Sequence, residues 1–207
     1  MSAYQTLHFR ITGIAPLLMH NGRLADPLDP HAQALAAAAR KRGKVDSDHL
    51  EIARLEFLGS LYLQGGEPCI PAEMVEAALI RAAAKKKKAT VAKAAMLIRS
   101  NAPLLYQGPR DPHALWSAGA AFRHRTGVRV GMTRVMRTRP RFDDWSADIS
   151  VDFLPTMIEA RDLADFFDIA GEQVGIGDWR PRCGRFVVAA REAPASKRPT
   201  PRTRRRT

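Results

Sequence analysis

Gly175-Ile176-Gly177-Asp178-Trp179-Arg180-Pro181-Arg182-Cys183-Gly184-Arg185-Phe186 joins an amphipathic helical pattern to a last apolar run. The pattern before it, Glu159 to Val174, brings Leu163, Phe166, Phe167, Ile169 and Ala170 to one side of a helix. The run after it, Phe186 to Ala190, reads as a strand. Just upstream, Ser146 to Phe153 alternates Ala147, Ile149, Val151 and Phe153 with Ser146, Asp148, Ser150 and Asp152, a half-buried strand. The C-terminal part therefore reads strand, helix, glycine-rich loop, strand. Within the loop, glycines permit tight turns and close backbone approach. Three arginines and a tryptophan among them suit a phosphate backbone with a base stacked beside it. They do not suit acid–base catalysis, which needs a group titrating near neutral pH.

Working back toward the N-terminus, Tyr4, Leu7, Phe9 and Ile11 alternate in a first strand that Gly13 and Pro16 end. Residues 31–42 predict an alanine-rich helix with Arg40, Lys41 and Arg42 at its end and Gly43 as its stop. A second helix is expected over about 48–63, capped by Asp46 or Ser47. Its apolar positions are Ile52, Leu55, Leu58 and Leu61, with Glu56 as one polar interruption. Pro71 opens a third, whose apolar face is Met74, Val75, Ala78, Leu79 and Ala82. A Lys/Ala-rich helix over 90–98, a short strand over 103–106, a helical turn over 112–118 and a β-like stretch over 122–141 complete the order. Taking the Ile70–Ala84 helix as the crossover gives β-α-β-β-α-β. The expected fold is α+β: a ferredoxin-like, split βαβ core in one domain, residues 1–190, with a helical insertion at about 25–65 after strand one. Beyond Arg191 the Pro/Ser/Thr/Arg-rich composition predicts a disordered tail over 191–207.

The net charge is +12 and the isoelectric point near 10.5, which favours a polyanionic partner. From Arg191 onward seven basic residues face only Glu192, a net +6, so the remainder is also basic at +6. Cys69 and Cys183 are far apart and match neither a disulfide framework nor a zinc spacing. A reducing, cytoplasmic setting is expected, since the first residues lack a signal-peptide pattern and no apolar run of about 18 residues occurs. No cofactor motif, Walker loop, Gly-x-Ser-x-Gly or Cys–His pairing is present. His20, Asn21, Asp26, Asp29 and His31 include metal-ligating types without a ligand spacing, and read as a turn-rich loop.

Three segments resemble the RAMP superfamily, the repeat-associated subunits of CRISPR effector complexes. Ile70-Pro71-Ala72-Glu73-Met74-Val75-Glu76-Ala77-Ala78-Leu79-Ile80-Arg81 is similar to that family's isoleucine-proline, small-residue, helix-ending-in-arginine stretch. Gly175 to Phe186 is similar to its C-terminal glycine-rich loop, and Ile11 to Leu17 to its first strand and following loop. The loop departs from the family in carrying Asp178-Trp179 where further glycines are usual. The resemblance spans about half the chain and implies a ferredoxin-like fold and RNA binding. It is nearer to the backbone-forming subunits that polymerise along single-stranded guide RNA than to the cleaving ones, whose general-base histidine has no match here.

The candidate interface is therefore Arg123, Arg125, Arg129, Arg134, Arg137, Arg139 and Arg141, with Gly177, Trp179, Arg180, Arg182 and Arg185. The first seven lie in a segment without Asp or Glu, and Arg137, Arg139 and Arg141 share a strand face. A solvated face neutralised by acids from elsewhere is the competing reading of that run. Trp179 reads either as a stacking platform or as a core plug, and the loop arginines as phosphate contacts or as pins on carbonyls. Lys85 to Lys88 read as a solvated helix end. The expected partner is single-stranded nucleic acid, RNA or DNA, with self-association along the strand and no membrane, cofactor, metal or catalytic residue. The alternatives are a phage or mobile-element assembly protein and a RAMP-like endoribonuclease.

Overall fold

The computed structural model describes residues 3–191, so the expected disorder of the tail beyond Arg191 lies outside the described residues. The chain opens with β1 (Gln5–Gly13) and β2 (Leu17–Leu18), then a 3-10 turn at Gly22–Ala25. Helices α1 (Pro30–Arg40) and α2 (Asp46–Ser60) follow, then β3 (Leu63–Gln64) and β4 (Glu67–Ile70). Next come α3 (Ala72–Lys85), α4 (Ala89–Ala95), β5 (Met96–Leu97), β6 (Ala102–Pro103) and α5 (Pro112–Ser117). The last part is β7 (Arg123–Val130), β8 (Thr133–Phe142), β9 (Ser146–Phe153), α6 (Ala160–Ile169), a π-helical turn at Ala170–Val174, and β10 (Phe186–Arg191). It is a mixed α/β molecule with three sheets and six α-helices among the described residues. No described helix is long and apolar enough to cross a membrane.

The main sheet has the order β10-β1-β9-β5, and every neighbouring pair is antiparallel. Its inner face follows from the alternation. Phe9 lies opposite Ile149 and Ile11 opposite Ala147, all buried, and α3 and α6 supply Leu79, Leu163, Phe166 and Phe167 against them. Phe9 and Phe167 stack with ring centroids 4.1 Å apart. Polar pairs cover the outer face: Thr6 donates to Asp152 at 2.6 Å, His8 and Ser150 share a hydrogen bond of 2.8 Å, and Arg10 pairs with Asp148 at 2.6 Å.

Several boundaries differ from expectation. The stretch 90–98 is not one helix: it breaks after Ala95, and Met96–Leu97 pairs with the far end of β9, where Met96 can be buried. The strand expected over 103–106 is β6, paired with β4, while Leu105 only bridges Ser146. The stretch 122–141 does not join the main sheet. It folds on itself as the β7–β8 hairpin, in a second sheet of order β2-β8-β7. Neither Asp46 nor Ser47 caps α2; the Asp48 carboxylate accepts the Val45 N–H at 3.0 Å instead. The inner stripe of α2 is Ala53, Glu56, Phe57 and Ser60, at helical spacing, so Glu56 belongs to it and is 3% exposed.

Candidate nucleic-acid interface

The glycine-rich loop lies across β2, held by main-chain bonds: Asp178 N–H to the Leu18 carbonyl at 2.8 Å, Gly184 N–H to Pro16 at 2.8 Å, and Ile176 N–H to Gly184 at 2.9 Å. Gly177 and Gly184 have φ of +77° and +72°. A Cβ on Gly177 would overlap the Leu18 carbonyl oxygen, and one on Gly184 the Ile176 carbonyl oxygen. These glycines therefore serve the loop's approach to its own scaffold.

Cross-strand partners share a sheet face, so the hairpin register sorts the arginines into two sets. Arg123, Arg125, Arg129 and Arg134 lie on one face; Arg137, Arg139 and Arg141 lie on the other, with His124 opposite Arg139 and Thr126 opposite Arg137. The acid-free segment is not free of acids in space. Arg137 pairs with Glu56 at 3.0 Å, Arg141 with Asp143 at 2.6 Å, and Arg139, 8% exposed, contacts Asp178. That contact is an ion pair without an aligned hydrogen bond, and the Arg139 Nε and Nη1 and the Asp178 Oδ2 have no hydrogen-bond partner among the described residues. Arg123 lies 4.3 Å over the Trp116 ring. Arg129 donates to the Gly131 carbonyl at the hairpin tip, at 3.1 Å. Arg125 and Arg134 are exposed.

The loop divides two clefts. One, of about 480 Å³, lies between loop and hairpin and is lined by Pro16, Leu18, His124, Thr126, Arg141, Trp179, Arg182 and Cys183. Trp179 is 37% exposed and meets the His124 ring edge-on, centroids 5.3 Å apart, so it is not a core plug. Burial, then the charges of Arg141 and Arg139, lower the His124 pKa, and its Nε2 is out of solvent with no partner among the described residues. The other cleft, of about 400 Å³, holds Gly177, Asp178 and Arg180 against His20, Tyr62, Glu73 and Arg81. Partial burial, then the Arg139 charge, lower the His20 pKa; partial burial and Arg81 lower that of Arg180. Arg185 joins neither cleft and donates to the Pro181 carbonyl at 2.8 Å, pinning the loop.

Thus Trp179 and Arg182 meet Arg141, whereas Arg180 and Gly177 face away from them and Arg123, Arg125, Arg129 and Arg134 lie elsewhere. His124, Thr126 and His20 were not singled out from sequence as interface residues. The period of two was the available signal for the first pair, since it places them opposite Arg139 and Arg137. Lys85 to Lys88 are exposed, as a solvated helix end requires, and Lys86 and Lys88 pair with Asp165 and Asp162 of α6. In the loop before α1, Asp29 caps the helix and pairs with Arg23 at 3.0 Å. Cys69 and Cys183 are free and buried.

No protein-family model matches the chain, and no curated protein is similar to it.

Proposed function

We propose that this protein binds single-stranded nucleic acid mainly through the phosphate backbone, as a repeating subunit of a nucleoprotein assembly in the cytoplasm. The observation that carries this reading is the cleft between hairpin and loop, where Arg141, Arg182 and His124 line the wall with a partly exposed Trp179 and, among the described residues, no Asp or Glu does. Guanidiniums match phosphate oxygens and the indole offers a base its π-face. The Arg141–Asp143 pair is solvent-exposed, so a phosphate can replace Asp143 at little cost. We read the core as a ferredoxin-like split βαβ of the RAMP type. Supporting this are the order β10-β1-β9-β5, the wholly antiparallel pairing, and the helices lying between β1 and β5 and between β9 and β10.

Anisotropy with a labelled single strand, titrated with salt, tests the reading. Six phosphate contacts give a slope of log K against log salt of roughly −4, from about −0.7 per phosphate. No binding at low salt, or binding that persists unchanged after Arg141→Ala and Arg182→Ala together, refutes it. For the repeating subunit, light scattering should register particles that grow with strand length; one protein per strand at every length refutes polymerisation.

One observation favours a second reading, RNA cleavage. His20, a histidine whose pKa partial burial lowers, shares the other cleft with Tyr62, Arg81 and Arg180. End-labelled RNA that stays intact with the wild-type protein rejects it, and cleavage that persists in His20→Ala removes His20 from it.

A further inference from the structure

Trp179 has φ +57°, a left-handed conformation that a bulky L residue rarely adopts and that persists only where its surroundings over-determine it. The chain is tied down on both sides of it. After it, the Cys183 N–H donates to the Trp179 carbonyl at 3.0 Å and Arg185 to the Pro181 carbonyl at 2.8 Å, which closes the turn. Before it, the Asp178 N–H donates to the Leu18 carbonyl at 2.8 Å, and the Asp178 carboxylate lies against Arg139 of β8. Arg139 is buried, and Asp178 is the acid that meets it among the described residues. Glu56 is already taken by Arg137 and the Thr138 N–H. Shifting the loop at Asp178 would therefore leave a buried guanidinium unpaired, a costly state. Arg139 is also the cross-strand partner of His124, whose ring meets the Trp179 indole edge-on. It thus backs both the loop residue before the indole and the ring beside it.

We propose that Arg139 and Asp178 are positioning residues: their ion pair fixes the main chain entering Trp179, holds it left-handed, and so turns the indole into the cleft between hairpin and loop as the face on which a base stacks. The inference rests on the nucleic-acid binding proposed above. It gives Arg139 a role other than phosphate contact, which its burial denies it. The rotation at stake is large. Relaxing φ from +57° to the usual helical value of about −63° turns the Trp179 side chain by roughly 120° about its N–Cα bond while Asp178 stays in place. That carries the indole off His124 and out of the cleft wall.

The test uses the full-length protein labelled with 5-fluorotryptophan, and fluorine NMR follows Trp116, Trp145 and Trp179. Loss of one signal in Trp179→Ala assigns that residue. Asp178→Ala should move the Trp179 resonance and leave the other two in place. Arg139→Met combined with Asp178→Ala removes both charges and strands neither, so it serves where the single variant does not fold, and it should move the same resonance. Anisotropy with a labelled twelve-nucleotide uridine strand at fixed salt is the second measurement. Either variant should weaken binding about tenfold, as Trp179→Ala should. Adding either to Trp179→Ala should cost little more, because residues that act through the indole then have nothing left to position. A Trp179 resonance that stays at its wild-type place, or losses of affinity that multiply, overturn the proposal. If no strand binds the wild-type protein, the nucleic-acid reading falls, and the resonance alone decides whether the pair holds the indole.

Discussion

Glu56→Ala should destabilise the protein by about 2–4 kcal/mol, because this one carboxylate ties α2 to the β7–β8 hairpin. Its Oε2 accepts the Thr138 N–H at 2.8 Å and its Oε1 the Arg137 Nη1 at 3.0 Å. Thr138 is 2% exposed, so its N–H finds no water when the carboxylate is removed; an orphaned buried donor costs about 1–3 kcal/mol. The Arg137 side chain is 37% exposed and can rehydrate, which holds its contribution to about 1 kcal/mol or less. The one lost methylene adds about 1 kcal/mol at most. Relief from burying a carboxylate works the other way and keeps the total below the simple sum. For a domain of this size the melting temperature should fall by roughly 5–15 °C. Glu56→Gln retains an acceptor for Thr138 and should cost only about 1 kcal/mol. Thermal and urea melts by circular dichroism measure both variants. A Glu56→Ala protein that melts with wild type, or a Gln variant as unstable as the Ala one, refutes the view that this carboxylate anchors the hairpin.

Trp179→Ala should leave the melting temperature nearly unchanged, since the indole is already 37% exposed, and should weaken single-strand binding by about 1–3 kcal/mol; a large drop in stability with normal affinity would count against the stacking role. Gly184→Ala should destabilise by more than about 2 kcal/mol by the same melts, because a Cβ at φ +72° meets the Ile176 carbonyl oxygen; wild-type stability would mean the loop is free to move off that oxygen. Below about pH 6.5, stability and affinity should move in opposite directions. The folded His20 and His124 have pKa values below that of the unfolded chain, so their contribution to stability is fully present above about 6.5 and is lost as pH falls. A bound polyanion favours the charged rings, so affinity should rise over the same interval; urea melts and anisotropy at about pH 7.5 and 5.5 check both signs, and two flat profiles would remove both rings from the argument.

Much of the fold was legible because its elements carry strong periods. Ser146–Phe153 was read to the residue, since strict alternation fixes a half-buried strand in both register and face. The helices of 30–40, 72–85 and 160–169 were read to within a few residues, because proline at the start, a basic end or a wide apolar stripe marks each. Two-residue strands such as Met96–Leu97 carry no period of their own. Their pairing with β9 is a tertiary event, and local alanine content pointed the wrong way. Glu56 shows the same limit from the other side. It looked like a flaw in an apolar stripe, yet it sits within the stripe because its two partners lie more than eighty residues downstream.

For the candidate site, sequence supplied residue types and strand period but not the acids that meet them. Arg137, Arg139 and Arg141 were read as one face, and the register agrees. Their charges are met by Glu56 from α2, Asp178 from the loop, and Asp143 just beyond the strand, none of which a local count of acids over 123–141 includes. The three pairs differ in what a ligand could displace. Arg139 is buried, and Glu56 is buried beneath Arg137, so freeing either arginine would strand a charge or a main-chain donor. Arg141 is partly exposed like Arg137, but its partner Asp143 is exposed, so this pair exchanges partners at little cost. A run of seven arginines thus reduces, next to the tryptophan, to Arg141 joined by Arg182 from the loop. Binding carried by this cleft should therefore respond far more to Arg141→Ala than to Arg137→Ala, whose main effect should fall on stability. Anisotropy and melting on that one pair of variants separate the two roles, and equal losses of affinity from both would refute the division.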